Sequence, residues 1–301
     1  MRNMKKNFKW IFFFLVVLLF SACSGKKVSV KKLKLENLRQ LNEKSYVCTF
    51  DGIKHDFIIE MPQKTGDSIP VVLLLHGYTH SADFMRATVG FHKEAGPRGY
   101  ASVYVSGSIS KYEKAGGIGW NSGIAEKGNA DVEFLVALAE YLWKEYGFDK
   151  NKTFVAGFSN GGFMVHRLAI EAGNTFRAAV SVAGKMPEKI WDERNRKNHI
   201  GFFQVTCEID DVVPKKSDHT ADVCRDPAIE DVMDYWAATN GLKNITSETI
   251  GRGSTLTKWT GKNKDREVWH LFVKDSHHFW PNEQLNSINT NSLILDFFDA
   301  N

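Results

Sequence analysis

Uninterrupted apolar runs, rather than alternating ones, set the rhythm of this chain. The clearest is "IPVVLLLHG", residues 69–77, which ends in His76-Gly77. A run without a polar alternate suits a strand covered on both faces, as in a parallel sheet. Runs of the same kind recur as "YASVYV" from Tyr100, "KTFVAG" from Lys152, "FRAAVSVAG" from Phe176, "IGFFQVT" from Ile200 and "VWHLFV" from Val268. Ahead of them, "YVCTFDGIKHDFIIEMP" places two β-rich segments on either side of Asp51-Gly52, the signature of a hairpin.

Between the runs the period changes from that of a strand to that of a helix. From Asp131, Val132, Leu135, Leu138, Ala139 and Leu142 fall on one stripe, with Asp131 suited to cap the start and Gly147 to stop the helix. From Asp226, Pro227 stands in the first turn, Ile229, Val232, Met233 and Trp236 share a face, and Gly241 follows the end. The segment "SLILDFFDAN" predicts a helix at the C-terminal end. Strands alternating with helices of this length imply βαβ units, hence an α/β fold with a mainly parallel central sheet and helices on both faces. No internal repeat or Pro/Gly linker divides residues 45–301, which are read as a single catalytic-sized domain.

The first residues break the pattern. Arg2, Lys5, Lys6 and Lys9 precede "WIFFFLVVLLF" and then "SACSG", the three-part layout of an export signal over residues 1–22. Eleven apolar residues fall short of the roughly 20 that span a bilayer. Ser21 and Ala22 before Cys23 resemble a bacterial lipobox, in which Cys23 carries the lipid; an ordinary cut after Ala22 is the alternative. Residues 23–44 then read as a basic tether, with six Lys or Arg against one Glu over residues 26–39, suited to anionic headgroups or simply solvated. The expected location is the bacterial outer membrane, reached by export and held through lipid at Cys23. The formal charge of +4 includes the four basic residues of the signal, so the remainder is near neutral and carries no nucleic-acid footprint.

The chemistry concentrates at "VAGFSNGG", where Gly157-Phe158-Ser159-Asn160-Gly161 matches GxSxG. By itself the motif also fits a turn serine. A strand before it and a helix after it are what a nucleophile elbow requires, with small residues letting the two elements approach closely. A serine hydroxyl needs a base to take its proton and a carboxylate to orient that base. Downstream, "VTCEIDDVVP" offers Asp210 and Asp211, and "KDSHHFWP" offers His277 and His278, each cluster just past a strand. The carboxyl ends of parallel strands are where such groups gather.

Taken in order, "LLHGYTHSADF", "GIGWNSG", "ADVEFL", "GFSNGG", "DDVVP" and "HFWP" resemble the polyhydroxybutyrate depolymerase and feruloyl esterase group of α/β-hydrolases, over roughly residues 45–300. The resemblance implies Ser159 as nucleophile, Asp210 as triad acid by its Asp-x-x-Val-Pro spacing to Pro214, and His278 as base by His-x-Trp-Pro; Asp211 and His277 stay open as alternatives. The chain departs from that group at Asp275, Ser276 and His277, where it tends to have small residues. The oxyanion hole takes two backbone N–H groups, one from Asn160 and one from Tyr78 or, failing that, Thr79, while His76 shapes the loop. Trp120 and Trp280, with Phe158 and Phe279 behind them, are candidates for an aromatic acyl pocket, although aromatics beside glycines also pack cores.

The implied function is an exported serine esterase acting on feruloyl or acetyl esters of plant polysaccharides or oligosaccharides. A polyhydroxybutyrate depolymerase-type esterase and a catalytically decayed surface glycan-binding lipoprotein are the alternatives. This chemistry calls for no metal and no organic cofactor; His92, His199, His219 and His270 lack ligand spacing. The expected partners are the ester substrate and the membrane, with the protein itself a monomer. Export permits a disulfide between Cys207 and Cys224, which would clamp the loop after Asp210, with Cys48 a buried thiol.

Overall fold

The computed structural model describes residues 34–63, 66, 68–110, 116–213, 226–262 and 266–301. The export signal, Cys23 and the rest of the basic tether up to residue 33, Pro214 and Cys224 lie outside the described residues.

The strands, in chain order, are β1 (Glu36–Gln40), β2 (Ser45–Phe50), β3 (Ile53–Glu60), β4 (Ile69–Leu75), β5 (Ala101–Val105), β6 (Ser108–Ile109), β7 (Ile118–Gly119), β8 (Phe148–Phe158), β9 (Ala178–Val182), β10 (Gly201–Cys207), β11 (Asn244–Ile250), β12 (Ser254–Thr260) and β13 (Val268–Val273). The helices are α1 (Ala82–Val89), α2 (His92–Ala95), α3 (Asp131–Tyr146), α4 (Asn160–Glu171), α5 (Glu188–Asp192), α6 (Ile229–Thr239), α7 (Glu283–Asn286) and α8 (Thr290–Asp299). All strands except β6 and β7, which pair with each other, join one sheet in the order β1-β2-β3-β5-β4-β8-β9-β10-β13-β12-β11. The six strands from β5 to β13 in that order run parallel, and antiparallel hairpins complete both edges.

The apolar runs are explained by this burial on two faces. Along β4, Val71, Leu73 and Leu75 enter one core with α3, α4 and α6, while Val72 and Leu74 enter the other with α1, α2 and α8. A polar residue on either face is buried and needs a partner there, as Gln204 on β10 finds in Gly184 O and His166. The hairpin of β2 and β3 turns at Asp51-Gly52, both at positive φ (48° and 77°), the geometry of a tight two-residue turn.

Several expectations are corrected. β1 falls within the stretch read as tether, yet pairs antiparallel with β2, so the folded body begins ahead of Ser45. Its pattern is almost wholly exposed, as suits a strand at the sheet edge, and this polarity is why it reads as linker. The helix after Pro227 starts at Ile229, because Asp226 accepts a bond from Glu188 N–H instead of entering the first turn. Asp131 is the first helical residue of α3 rather than its cap. Its Oδ2 accepts from Asn121 N–H at 2.6 Å, tying the segment after β7 to the start of the helix.

Burial of Asp131 raises its carboxyl from 3.8 to about 6, against the opposing pull of the Asn121 amide and of Arg167. Folded, the group keeps its proton to about pH 6; unfolded, it releases it near the ordinary value. Its contribution is therefore fully present below about pH 4 and is lost as pH rises through 6, by at most about 3 kcal/mol. Urea midpoints from pH 4 to 8 should show this fall in the wild type and its absence in Asp131→Asn; parallel curves would refute the attribution.

Candidate active site

Ser159 stands at the joint between β8 and α4 with φ 51° and ψ −118°, a backbone that L-residues other than glycine rarely adopt. Its N–H donates to Val182 O on β9, and its carbonyl accepts from Phe163 N–H within α4, so both sides of the strained residue are fixed. The joint closes only because its neighbours lack side chains. A Cβ on Gly157 would lie 2.2 Å from Gly161 O, and one on Gly161 would lie 2.2 Å from Leu75 O.

Two loops bring the partners. The one after β10 supplies Asp210, and the one after β13 supplies His278. Three bonds stitch them side by side: Glu208 N–H to Val273 O, Ile209 N–H to Ser276 O, and Asp275 N–H to Glu208 Oε2. Asp275 has φ 53°, and the chain reversal there buries Ser276, exposes His277 and turns His278 inward. His278 Nε2 lies 2.8 Å from Ser159 Oγ, and its Nδ1 lies 2.7 Å from Asp210 Oδ2. The second carboxylate oxygen of Asp210 accepts from the N–H groups of Val212 and Val213 at 3.0 and 2.7 Å. With Asp210 7% exposed, these three contacts to its carboxylate are its compensation for burial. Asp211 is exposed, which separates it from the alternative role left open by the sequence. The Phe158 ring packs 5.0 Å from the His278 ring and limits its rotation.

The loop after β4 faces Ser159 from the other side. His76 is buried, with Nδ1 donating to Gly77 O at 2.7 Å and Nε2 accepting from Gly107 N–H at 2.8 Å, which fixes one neutral tautomer. Burial pushes its imidazole down to about 4. Thr79 N–H is spent on Ile118 O at 2.7 Å, whereas none of the hydrogen bonds among the described residues uses the N–H of Tyr78. Asn160 is the first residue of α4, where a helix leaves its N–H groups without intrahelical partners. Tyr78 and Asn160 thus fit the two-donor requirement, and Thr79 does not. The side chain of Asn160, a role missed in the sequence, accepts from Trp120 N–H at 2.7 Å and locks β7 against the elbow.

A cavity of about 440 Å³ opens beside Ser159. Tyr78, Trp120, Phe163 and Val213 give its apolar wall, while Ser108, Asn121, Ser122 and Asn129 give a polar one. Three of the expected acyl-pocket aromatics, Trp280, Phe158 and Phe279, are not part of it. Trp280 packs toward α1 and α8, donates Nε1–H to Asn291 Oδ1 at 3.0 Å and borders a separate cleft of about 210 Å³. Phe158 serves the base instead. Trp120 does line the cavity, yet it is buried and its Nε1–H holds His76 O at 2.9 Å, so its larger part is structural. Both tryptophans have indole N–H groups that need a partner when buried, and those partners decided which way each ring faces. Cys207 is likewise corrected: it is a free, buried thiol at the end of β10, its Sγ 3.7 Å from Phe279 O.

Chemically, the arrangement can deprotonate a hydroxyl beside two amide donors, next to a cavity of metabolite size. Residues 95–197, which include Ser159, match the model of the Prolyl oligopeptidase family. A putative esterase, NocK, from Nocardia uniformis subsp. tsuyamanensis is 32% identical over 123 residues, covering 39% of this chain and 33% of that protein. The bifunctional acetylxylan esterase/xylanase XynS20E of Neocallimastix patriciarum is 21% identical over 162 residues, covering 54% of this chain and 22% of that protein. The chain thus spans a third or less of the length of these relatives. Among solved structures, acetyl xylan esterase from Aspergillus awamori superposes with a TM-score of 0.59 at 14% identity, over 82% of this chain and 94% of that one. Est1E from Butyrivibrio proteoclasticus gives 0.51 at 12% identity, over 85% and 99%. Strand order, elbow and structural likeness agree, and the chain has the α/β-hydrolase fold.

Proposed function

We propose that the protein is a serine esterase that hydrolyses acyl esters carried on carbohydrates, acetyl esters foremost, exported and held at the membrane through lipid at Cys23. The observation that carries the proposal is the continuous contact from Ser159 Oγ through His278 to Asp210, set at the edge of a cavity with a polar wall. The acetylxylan activity named for two of the similar proteins supports the substrate class. The ordered motifs shared with the polyhydroxybutyrate depolymerase and feruloyl esterase group support the narrower placement.

In this mechanism Ser159 Oγ attacks the ester carbonyl carbon while His278 Nε2 takes its proton. The carbonyl oxygen becomes an oxyanion between the N–H groups of Tyr78 and Asn160, and Asp210 steadies the imidazolium. Collapse expels the alcohol, which leaves with the proton from Nε2. Water, deprotonated by the same nitrogen, then releases the acid from the acyl-enzyme.

A fluorophosphonate should label the wild type and leave Ser159→Ala unlabelled, and that variant should lose about 10⁶-fold in turnover. Purified protein should release acetate from acetylated xylan; labelling without any release of acetate or ferulate from a panel of esters would refute the substrate class. An unlabelled wild type would favour a binding protein instead.

Asp210→Asn should leave binding nearly intact and lower kcat about 10⁴-fold, because an amide cannot hold the same imidazole tautomer. A loss under tenfold would remove Asp210 from the role.

A further inference from the structure

The two sides of Ser159 differ. On one side lies the cavity, whose lining includes Ser159, Tyr78 and Asn160. An ester whose oxygen sits between the latter two amides directs its acyl group that way. On the other side lies the His278 ring, which is outside the cavity lining. The departing oxygen must collect its proton from Nε2, so the alcohol half of the ester lies along this second side.

A histidine with no assigned task stands there. His80 follows the oxyanion loop, its N–H on Gly77 O at 3.2 Å. Its Nδ1 and Ser159 Cβ each lie 3.4 Å from the point where a side chain on Gly77 would begin, with the Phe158 ring 3.1 Å from the same point. His80, Phe158 and His278 thus border one side of the nucleophile. Phe84, one turn on in α1, packs on the His80 ring with centroids 4.1 Å apart and fixes its plane. The ring is partly exposed, and no hydrogen bond among the described residues takes either of its nitrogens. Partial burial and the nearby His278 keep its imidazole below the ordinary value, hence neutral at pH 7, with one donor and one acceptor. An oriented, neutral ring with both polar atoms unengaged is equipped to recognise hydroxyl groups.

We propose that His80 is a specificity-determining residue that hydrogen-bonds a hydroxyl of the departing alcohol, selecting polyhydroxylated, sugar-type alcohols over simple ones. The inference rests on the esterase reading and adds which half of the ester is read, and by what.

The test uses one acyl group on two alcohols: an acetylated xylo-oligosaccharide and methyl acetate. For wild type, His80→Ala and His80→Gln, kcat/KM is measured on both esters across pH 5–9. The ratio of sugar ester to methyl ester should fall about tenfold in His80→Ala, chiefly through KM, the size of one neutral hydrogen bond. His80→Gln, which keeps a donor and an acceptor, should restore most of it. Parallel losses on both esters would overturn the proposal, as would an unchanged ratio with a shifted acid limb of the pH profile, since His80 would then act through His278. Wild type inactive on both esters would overturn the esterase reading itself, and the proposal with it.

Discussion

Everything at the candidate site depends on one steric constraint: backbone must touch backbone where β8 enters α4. The left-handed conformation of Ser159 raises its hydroxyl above the sheet, and it costs free energy of order 1–3 kcal/mol. It persists because neighbouring bonds leave no alternative: Ser159 N–H is held by Val182 O, and the helix behind it is pressed onto the end of β4 with Gly161 O and Leu75 O where side chains would stand. The parallel sheet supplies that pressure, since β4, β8 and β9 are covered on both faces and cannot slide apart without exposing two cores.

The same joint explains why the supporting cast is neutral. Behind the serine, the loop after β4 is fastened by a buried imidazole bonded twice to backbone, by an indole N–H on His76 O and by an amide side chain on Trp120 N–H. None of these carries a charge at neutral pH, so they orient the oxyanion amides without opposing the negative charge those amides would stabilise. On the far side, Asp210 is desolvated against three contacts. A cleft with neutral donors on one side and a paired carboxylate on the other biases developing charge in the direction ester attack requires.

Much of this was legible in the sequence because it follows local rules. The apolar runs located the central strands, the Asp51-Gly52 turn located the hairpin, and GxSxG between strand and helix located Ser159. What stayed hidden depends on three-dimensional pairing. β1 was masked by the polarity that an edge strand needs, and the hairpin of β11 and β12 by the same feature, β11 being exposed nearly throughout. Asp131 carries a capping residue's identity, yet its carboxylate is claimed by an amide ten residues earlier. The preference for His278 over His277 came only through the resemblance at His-x-Trp-Pro, while its physical cause, the chain reversal at Asp275, is not encoded in composition. The aromatic pocket failed for a related reason: a tryptophan's position in the chain says little about which acceptor its N–H will find.

The position of His80 suggests why the loop after β4 is built as it is. Tyr78 must present its amide to the cavity while its ring, 50% exposed, reaches across to accept from Gly117 N–H at 2.6 Å. Thr79, at φ 65°, then reverses the chain and surrenders its N–H to Ile118 O. Only after that reversal can the next side chain point back beside Gly77 toward the nucleophile, and Ser81, whose Oγ accepts from Phe84 N–H, starts α1 immediately afterwards. Four residues thus turn from the acyl side of the serine to its alcohol side with no slack. A loop one residue longer could keep the oxyanion amide or the His80 placement, but the fixed ends at Leu75 and Ala82, both fully buried, would not let it keep both. With the proposed activity, the two halves of an ester would be read by neighbouring residues of a single turn, coupling where the carbonyl sits to which alcohol can leave.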